Sequence, residues 1–250
     1  MTVHREAAVG FERAAAVYER SRPGYPRRTV VWLTDQLDLG PGRIVVDLAA
    51  GTGKLTRALV AAGPSVIAVE PVVAMLATLS AGAGDRVDPV AATADALPLA
   101  ARSVDAVTVA QAFHWFAGDV ALAEMMRVLR PGGRIALVWN RRPLDDPLQA
   151  AIEGVIGVYR TDTPSYVTGA WRAVIDHSPL VGVHATHAVD HAATTSGDGL
   201  VDRVLSTSFI AALPDGERTD VAARIRAVAT QFGPAAVLRY RCEAYVLTPR

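Results

Sequence analysis

A segment of small residues, Asp47–Thr56, has the composition of a ligand-binding loop. It follows the apolar run Ile44–Leu48, which has the length of a buried strand, and precedes an alanine-rich stretch with helical spacing. Gly51 and Gly53 permit positive φ and a close approach of the backbone to a ligand. The first turn of the helix leaves N–H groups free. Glu70 ends the next apolar run, at the spacing where an acid binds ribose hydroxyls.

Three ligands compete for such a loop. A Walker-type phosphate loop requires Gly at position 48 and Ser or Thr after Lys54, where this chain has Leu48 and Leu55. A dinucleotide-binding loop requires Gly at position 56, which is Thr56. S-adenosylmethionine carries a ribose and an ammonium-bearing tail but no phosphate. Asp47 suits that tail and would repel a pyrophosphate. The sequence favours this third ligand. The alternative is that the segment is an ordinary capped strand–turn–helix that binds no ligand.

The segment Gln111–Phe116 follows the fourth apolar run, at the sheet edge where open α/β folds bind ligands. His114 is a candidate general base if the substrate presents a hydroxyl or an amine, and otherwise a structural residue. Trp115 is a candidate to pack against the donor or to stack on a substrate, and otherwise fills core. A carboxylate substrate needs no base and pairs naturally with arginine. The candidate arginines are Arg22, Arg141, Arg142, Arg203, Arg239 and Arg241.

The elements that must position these residues alternate between two periodicities. Short β-branched runs, each with the length of a buried strand, are Ile44–Leu48, Val66–Val69, Val87–Val90, Val104–Val109 and Ile135–Trp139. Stretches with helical spacing lie between them, at Leu55–Ala62, Ala74–Ser80 and Val120–Leu129. Strands that alternate with helices predict βαβ units and a doubly wound, mostly parallel sheet.

The two ends of the chain are less regular. Helices are predicted over Arg5–Arg20 and Arg28–Leu37, separated by the turn Arg22–Pro26, whose prolines cannot continue a helix. In the second half, helices are predicted over Pro143–Tyr159, Leu200–Ala212 and Glu217–Gln231, and late strands over Leu180–His191 and Ala235–Val246. His184 and His187 fall on a predicted strand and point to opposite faces, so no metal site is predicted.

Charge and hydropathy exclude several classes of protein. The 250 residues include 25 basic and 25 acidic side chains, and the mean hydropathy of +0.24 is too high for a disordered chain. A neutral chain is a poor nucleic-acid binder. With one cysteine, no apolar N-terminal segment and no run long enough to span a membrane, we expect a cytoplasmic protein. Lys54, the lone lysine, is expected to be solvated at a helix start.

Several motifs in the same order resemble those of the class I S-adenosylmethionine-dependent methyltransferases, of the type 11 domain. Asp47–Gly53 resembles their first motif and Glu70 the acid after their second strand. Thr93–Leu99 with Ser103–Val107 resembles their adenine-side loop and fourth strand, and Arg127–Arg134 the turn before the fifth. Ala49 stands where the family has glycine, and we expect it to require negative φ.

The resemblance implies a Rossmann-like sheet of seven strands with the last strand antiparallel, an N-terminal helical lid and a helical insertion before the last strand. The implied organisation is a single domain over 1–250. Residues 1–27 would form the lid, 28–142 the donor-binding core, and 143–250 the acceptor-side helices and last strands. The expected activity is methyl transfer from S-adenosylmethionine to a small molecule, at a carboxylate or hydroxyl oxygen.

A narrower resemblance, to trans-aconitate-type methyltransferases, rests on Phe11–Pro26, on Gln111–Phe116 and on the ending Val138–Asn140. It implies a small, acidic or xenobiotic acceptor. From the neutral charge and the lack of a long apolar run, we expect neither nucleic acid nor membrane as partner. It also implies a lid that carries Tyr18, Arg22 and Tyr25. Two alternatives stay open, a methyltransferase-like binding protein without turnover and an NAD-dependent oxidoreductase. The oligomeric state is not predicted.

These arguments predict two sets of site residues. The predicted donor-binding residues are Asp47, Ala49, Gly51, Gly53, Glu70, Thr93, Ala94, Asp95, Gln111, Tyr18 and Arg22. Either Thr93 or Asp95 is expected to contact the adenine, because the acid of the family motif has moved two positions along. The predicted acceptor-side residues are His114, Trp115, Tyr25 and Arg141, with His114 as the candidate catalytic residue.

Overall fold

The computed structural model describes residues 4–250, except for the side chains of residues 5 and 7. The strands within that range are β1 (Ile44–Leu48), β2 (Ser65–Val69), β3 (Val87–Val90), β4 (Val104–Ala110), β5 (Leu129–Arg141), β6 (Val181–Ser196) and β7 (Ala235–Pro249). The helices are α1 (Arg5–Ser21), α2 (Arg27–Gln36), α3 (Lys54–Val60), α4 (Val73–Ala81), α5 (Asp119–Val128), α6 (Pro147–Ile156), α7 (Ala170–His177), α8 (Gly197–Leu205), α9 (Ser208–Ala211) and α10 (Asp215–Gln231).

Over the described residues the strands form one seven-stranded sheet in the order β3-β2-β1-β4-β5-β7-β6. The first five strands are parallel, and β7 pairs antiparallel with both β5 and β6. This confirms the predicted Rossmann-like fold, including the antiparallel last strand. The strand order reverses between β1 and β4, so their carboxyl ends border the crevice where doubly wound sheets bind ligands.

The burial of each strand follows from its place in the sheet. Central strands β1 and β4 are buried almost throughout, since apolar clusters cover both of their faces. In β7, exposed and buried residues alternate over Ala235–Tyr240, as in an antiparallel strand with one solvated face. A further apolar cluster fills the space between this part of β7 and the helices α6, α8 and α10.

Several predicted boundaries differ from the structure. The helix predicted over Leu200–Ala212 is interrupted by Ser206 and Thr207, which separate α8 from α9. The fifth strand starts earlier than predicted, at Leu129, and its pairing with β4 skips from Leu129 to Arg134. Helix α7 lies in a segment for which no element was predicted. Within residues 4–250, no helix is both long enough and apolar enough to cross a membrane.

Candidate functional site

A cavity of about 240 Å³ opens at the carboxyl ends of the central parallel strands. Its walls include Ala49 after β1, Glu70 after β2, Thr93 after β3 and Gln111 after β4. Strand ends meet there because parallel strands bring their carboxyl ends to one edge. We call this the donor cavity. The predicted donor-binding residues that line it are Tyr18, Ala49, Gly51, Glu70, Thr93, Ala94, Asp95 and Gln111.

Glu70 fastens the loop after β1 to the end of β2. One carboxylate oxygen accepts a hydrogen bond from the Gly51 N–H and the other from the Val72 N–H, each at 2.9 Å. Burial raises the pKa of Glu70 to about 7. Gly51 has φ +59, and a Cβ added to it would meet no atom within 4 Å. The loop therefore presents bare backbone to the cavity.

Two non-glycine residues beside this loop have left-handed backbone. Ala49 has φ +55 and Gln111 has φ +60, on the adjacent strand ends of β1 and β4. The expectation of negative φ at Ala49 was wrong. A left-handed alanine costs on the order of 1 kcal/mol, which the surrounding structure must offset. Such strain clusters at ligand sites, and here it marks the switch point of the sheet.

Asp47 lies beneath the loop, outside the walls of the cavities described here. Its carboxylate accepts hydrogen bonds from the hydroxyls of Thr56, at 2.6 Å, and Thr108, at 3.0 Å, and the side chain is fully buried. Burial raises its pKa to about 6, although both threonines favour the ionised form. Direct contact with a ligand ammonium was expected. In the structure, Asp47 joins β1, α3 and β4 beneath the loop.

A small cavity of about 50 Å³ continues from the donor cavity around the loop. Its lining includes Thr52, whose buried hydroxyl has no hydrogen-bond partner within the described structure. Tyr25 lies here too, on the donor side, although it was expected to contact the acceptor. Lys54 is also a wall residue. It is 17% exposed and donates to the Glu19 carbonyl at 2.7 Å, so the expectation of a solvated lysine was wrong.

A third cavity, of about 610 Å³, adjoins the other two, and we call it the acceptor cavity. Tyr18 and Gln111 line all three cavities and mark where they meet. Of the acceptor-side predictions, His114, Trp115 and Arg141 line this cavity. Its charged wall residues among those described are Arg22, Arg141, Arg142, Arg160, Arg203, Glu153 and Glu243.

The arginines of the acceptor cavity outnumber its carboxylates. Arg142 and Arg160 share Glu153, at 2.7 and 2.6 Å, and Arg141 pairs with Glu243 at 3.1 Å. Five arginines against two glutamates leave a formal excess of three positive charges. The cavity is therefore suited to an anion.

Arg22 and Arg203 have no carboxylate partner in the described part of the chain. Arg22 donates to the hydroxyl of Ser206, at 2.9 Å, and to its carbonyl, at 2.8 Å, and its guanidinium covers the Tyr18 ring at 4.9 Å. Burial and then the charge of Arg203 lower the pKa of Arg22 to about 9, so it stays charged at pH 7. Arg203 is 9% exposed and donates to the Tyr240 hydroxyl at 3.1 Å. Unpaired buried cations of this kind favour an anionic ligand.

Helix α1 covers the junction of the cavities. Phe11 and Tyr18 from this helix line both the donor and acceptor cavities, and Phe11 packs against Trp115 with 6.0 Å between ring centroids. Glu19 binds Arg57 of α3 at 2.6 Å, and Arg20 binds Asp202 of α8 at 2.8 Å. These contacts hold α1 in the position of a lid.

Sequence reasoning missed several wall residues of the acceptor cavity. Glu153, Arg160 and Tyr166 come from the stretch between β5 and β6, which carries no recognisable motif. Thr163 and Ser165 line the same cavity with buried hydroxyls that lack partners in the described structure. The sequence did contain one indication of these residues. The stretch of Thr, Pro and Ser before α7 interrupts the helical periodicity, which is typical of a loop. Within the described residues, no group of His, Cys, Asp or Glu is suited to hold a metal ion.

Comparisons with known proteins agree with this geometry. The profile of the methyltransferase domain family matches residues 46–137. An uncharacterized methyltransferase-like protein of Schizosaccharomyces pombe is 36% identical over 220 residues, which cover 88% of this chain and 85% of that protein. An uncharacterized methyltransferase of Mycobacterium bovis is 37% identical over 222 residues, which cover 89% and 86%.

A solved structure shares the fold. A candidate type II methyltransferase from Anaeromyxobacter dehalogenans superposes with a TM-score of 0.66 at 22% identity, over 90% of this chain and 97% of its own.

Proposed function

The chain belongs to the class I S-adenosylmethionine-dependent methyltransferases, and from this premise we propose that it methylates a small anionic molecule at a carboxylate or hydroxyl oxygen. The observation that carries the anionic acceptor is the acceptor cavity, where arginines exceed carboxylates by three. Bidentate arginine pairs are the strongest recognition that a side chain offers to a carboxylate.

The donor cavity supports S-adenosylmethionine as the methyl donor. Its residues fit on two counts, the open space above Gly51 and the unpartnered hydroxyl of Thr52 beside it. We propose that Glu70 accepts hydrogen bonds from the ribose, that the loop backbone holds the amino-acid tail, and that Thr93 or Asp95 contacts the adenine. When bound, the donor supplies an activated methyl group on a sulfonium sulfur.

The protein's own task is to align donor and acceptor and to exclude water. Tyr18 and Gln111 line all three of these cavities, so we propose that the methyl group passes from donor to acceptor beside them. The lid helix α1, with Phe11 against Trp115, covers this junction. An aromatic junction beneath α1 suits a sulfonium because it replaces water with aromatic faces that attract a cation.

Titration calorimetry with S-adenosylmethionine and with NAD tests the donor. We expect S-adenosylmethionine to bind and NAD to be inert, and the reverse result would favour an oxidoreductase. Transfer of a labelled methyl group to succinate and benzoate, with benzyl alcohol as the neutral counterpart, tests the acceptor. Donor binding without turnover on acids or alcohols would favour a binding protein instead.

A further inference from the structure

His114 has one ring nitrogen engaged by protein and one facing the acceptor cavity. The Trp139 indole N–H donates to His114 Nδ1 at 3.3 Å, and Trp139 is 1% exposed. Nε2 has no hydrogen-bond partner in the described part of the chain, and His114 lines the acceptor cavity. The two nitrogens therefore differ in role.

The Trp139 contact fixes the tautomer of His114. An indole N–H is a donor only, so the Nδ1 that it contacts must be the acceptor, and a neutral ring then carries its proton on Nε2. Burial lowers the pKa of His114 to about 4, so the ring is neutral at pH 7. The basic nitrogen is covered by Trp139, and the nitrogen that faces the cavity is a donor.

We propose that His114 is a hydrogen-bond donor that holds an anionic oxygen of the acceptor, and that the methylated atom is a carboxylate oxygen. This inference rests on the proposed function and narrows its acceptor from two kinds of oxygen to one. A hydroxyl would need a base at Nε2, where the structure supplies a proton instead. The positive excess of the same cavity stabilises a carboxylate that is already ionised.

The step balances without a general base. A carboxylate oxygen uses its lone pair to form the new C–O bond as the S–C bond of the sulfonium breaks, and sulfur keeps that electron pair. A neutral methyl ester and a neutral thioether result, and no proton is released. Methylation of a hydroxyl would release one proton for each methyl group transferred.

Nitrogen-15 NMR of the histidine rings tests the tautomer directly. The resonance assigned to His114, by its loss in His114→Gln, is expected to show a protonated Nε2 and an unprotonated Nδ1, and to stay unchanged from pH 8 to pH 5.5. Trp139→Phe removes the indole N–H donor, so we expect it to remove the preference for the tautomer with the proton on Nε2. A proton on Nδ1, or titration of the ring near its ordinary pKa of about 6.5, would overturn the inference.

Binding of two probe acids tests the donor role. We expect succinate and benzoate to shift the Nε2 resonance and benzyl alcohol to leave it unchanged. His114→Ala is expected to weaken binding of the acids about 10-fold or more, whereas His114→Gln, which keeps an amide N–H donor, restores it to within a few-fold. Equal losses in both variants, or no response of Nε2 to either acid, would contradict the proposal.

The proposed function and the proposed role of His114 can be refuted independently. Calorimetry with S-adenosylmethionine in the same samples reports the proposed function, whatever the state of His114. If an acid is methylated while Nε2 gives no response, the function stands and the role of His114 falls. For a methylated acid that also carries a hydroxyl, such as malate, we expect no proton release in weakly buffered solution, and release of one proton per methyl group would overturn the carboxylate assignment.

Discussion

Glu70 fixes the loop after β1, which borders the donor cavity. Its two oxygens hold the backbone of Gly51 and Val72, and the same carboxylate borders the donor cavity. A carboxylate has more lone pairs than these two bonds use, so it can accept ribose hydroxyls as well. The observed structural role and the proposed binding role of Glu70 coincide because the loop must be fixed before it can hold a ligand.

Glu70→Ala is expected to weaken S-adenosylmethionine binding by about 10-fold or more, since hydrogen bonds to a charged group contribute about 1.5–3 kcal/mol. Calorimetric titration gives the dissociation constant, and the thermal midpoint reports whether the loop still folds. Glu217→Ala, at an exposed position of α10, is the matched control. Unchanged affinity in a folded Glu70→Ala protein would rule out the ribose assignment.

The raised pKa of Glu70 predicts a pH dependence of stability. Between pH 4.5 and about pH 7, the folded state keeps a proton that the unfolded chain releases, so the free energy of unfolding falls as pH rises. The shift corresponds to on the order of 3 kcal/mol. Asp47, with its pKa raised to about 6, adds a decline of the same sign.

Urea unfolding at a series of pH values tests this linkage. Glu70→Gln removes one titrating group and leaves Asp47 in place, so we expect its stability to fall less steeply with pH than that of the parent protein. The comparison uses slopes, because Gln cannot satisfy two N–H donors and lowers stability at every pH. Parallel curves for the two proteins would show that Glu70 does not titrate as proposed.

Among the elements, the lid helix α1 depends on one close contact. A Cβ on Gly10 would lie 2.9 Å from the carbonyl carbon of Ser208 in α9, closer than real Cβ atoms approach backbone. Glycine inside a helix normally costs about 0.5–1 kcal/mol relative to alanine. Packing explains why Gly10 occurs here, because the missing Cβ lets α1 lie directly against α9. In this position of α1, Tyr18 lines the cavities.

Gly10→Ala is expected to destabilise the protein by about 1–3 kcal/mol, because the backbone of Ser208 cannot rotate away. It should also weaken donor binding, since α1 supplies walls of the donor cavity. Gly154→Ala in α6, where an added Cβ meets nothing within 4 Å, is the control and should stabilise by about 0.5–1 kcal/mol. If both variants gain stability, the tight contact with α9 is wrong.

The elements that the sequence predicted are those specified by local pattern. Strands β1, β2 and β4 lie within one residue of their predicted bounds, because a covered parallel strand requires a nearly continuous apolar run. The break between α8 and α9 depends on a distant residue. Arg22 binds the hydroxyl and the carbonyl of Ser206, and no local pattern records that contact.

The candidate site likewise contains features set by local sequence and features set only by the folded structure. The donor loop was predictable because one short segment contains its glycines, and its acid follows at a fixed spacing. The left-handed backbone of Ala49 was not, because alanine disfavours it and only the surrounding structure imposes it. The acceptor cavity combines α1, β5, α6 and α8, so its arginines are brought together only by folding.

At the scale of the whole molecule, charge is balanced overall and separated locally. The chain has 25 basic and 25 acidic side chains, yet arginines exceed carboxylates by three around the acceptor cavity. The remaining 20 basic and 23 acidic side chains carry a formal net charge of −3, which limits non-specific binding to large polyanions, while the positive charge of the cavity still attracts a small one. Low-dielectric walls strengthen that attraction relative to the surface.

Arg203→Met tests this separation of charge. It removes a buried guanidinium that lacks a carboxylate partner within the described residues, and we expect binding of succinate to weaken about 10-fold or more while S-adenosylmethionine affinity stays within a few-fold. Arg224→Met, at an exposed position of α10, changes net charge equally and should leave both affinities unchanged. Arg203→Gln keeps a polar side chain near Tyr240 if the methionine variant folds poorly.

The dependence of binding on ionic strength is an independent measure of the positive potential in the acceptor cavity. The Debye length falls from about 10 Å at 0.1 M salt to about 3 Å at 1 M, so added salt should weaken succinate binding and leave benzyl alcohol unaffected. Arg203→Met should show a shallower salt dependence than the parent protein, because one of the cations that succinate encounters is gone. Isothermal titration across a salt series measures both slopes. Identical slopes would mean that the buried arginine contributes packing to the cavity wall rather than charge.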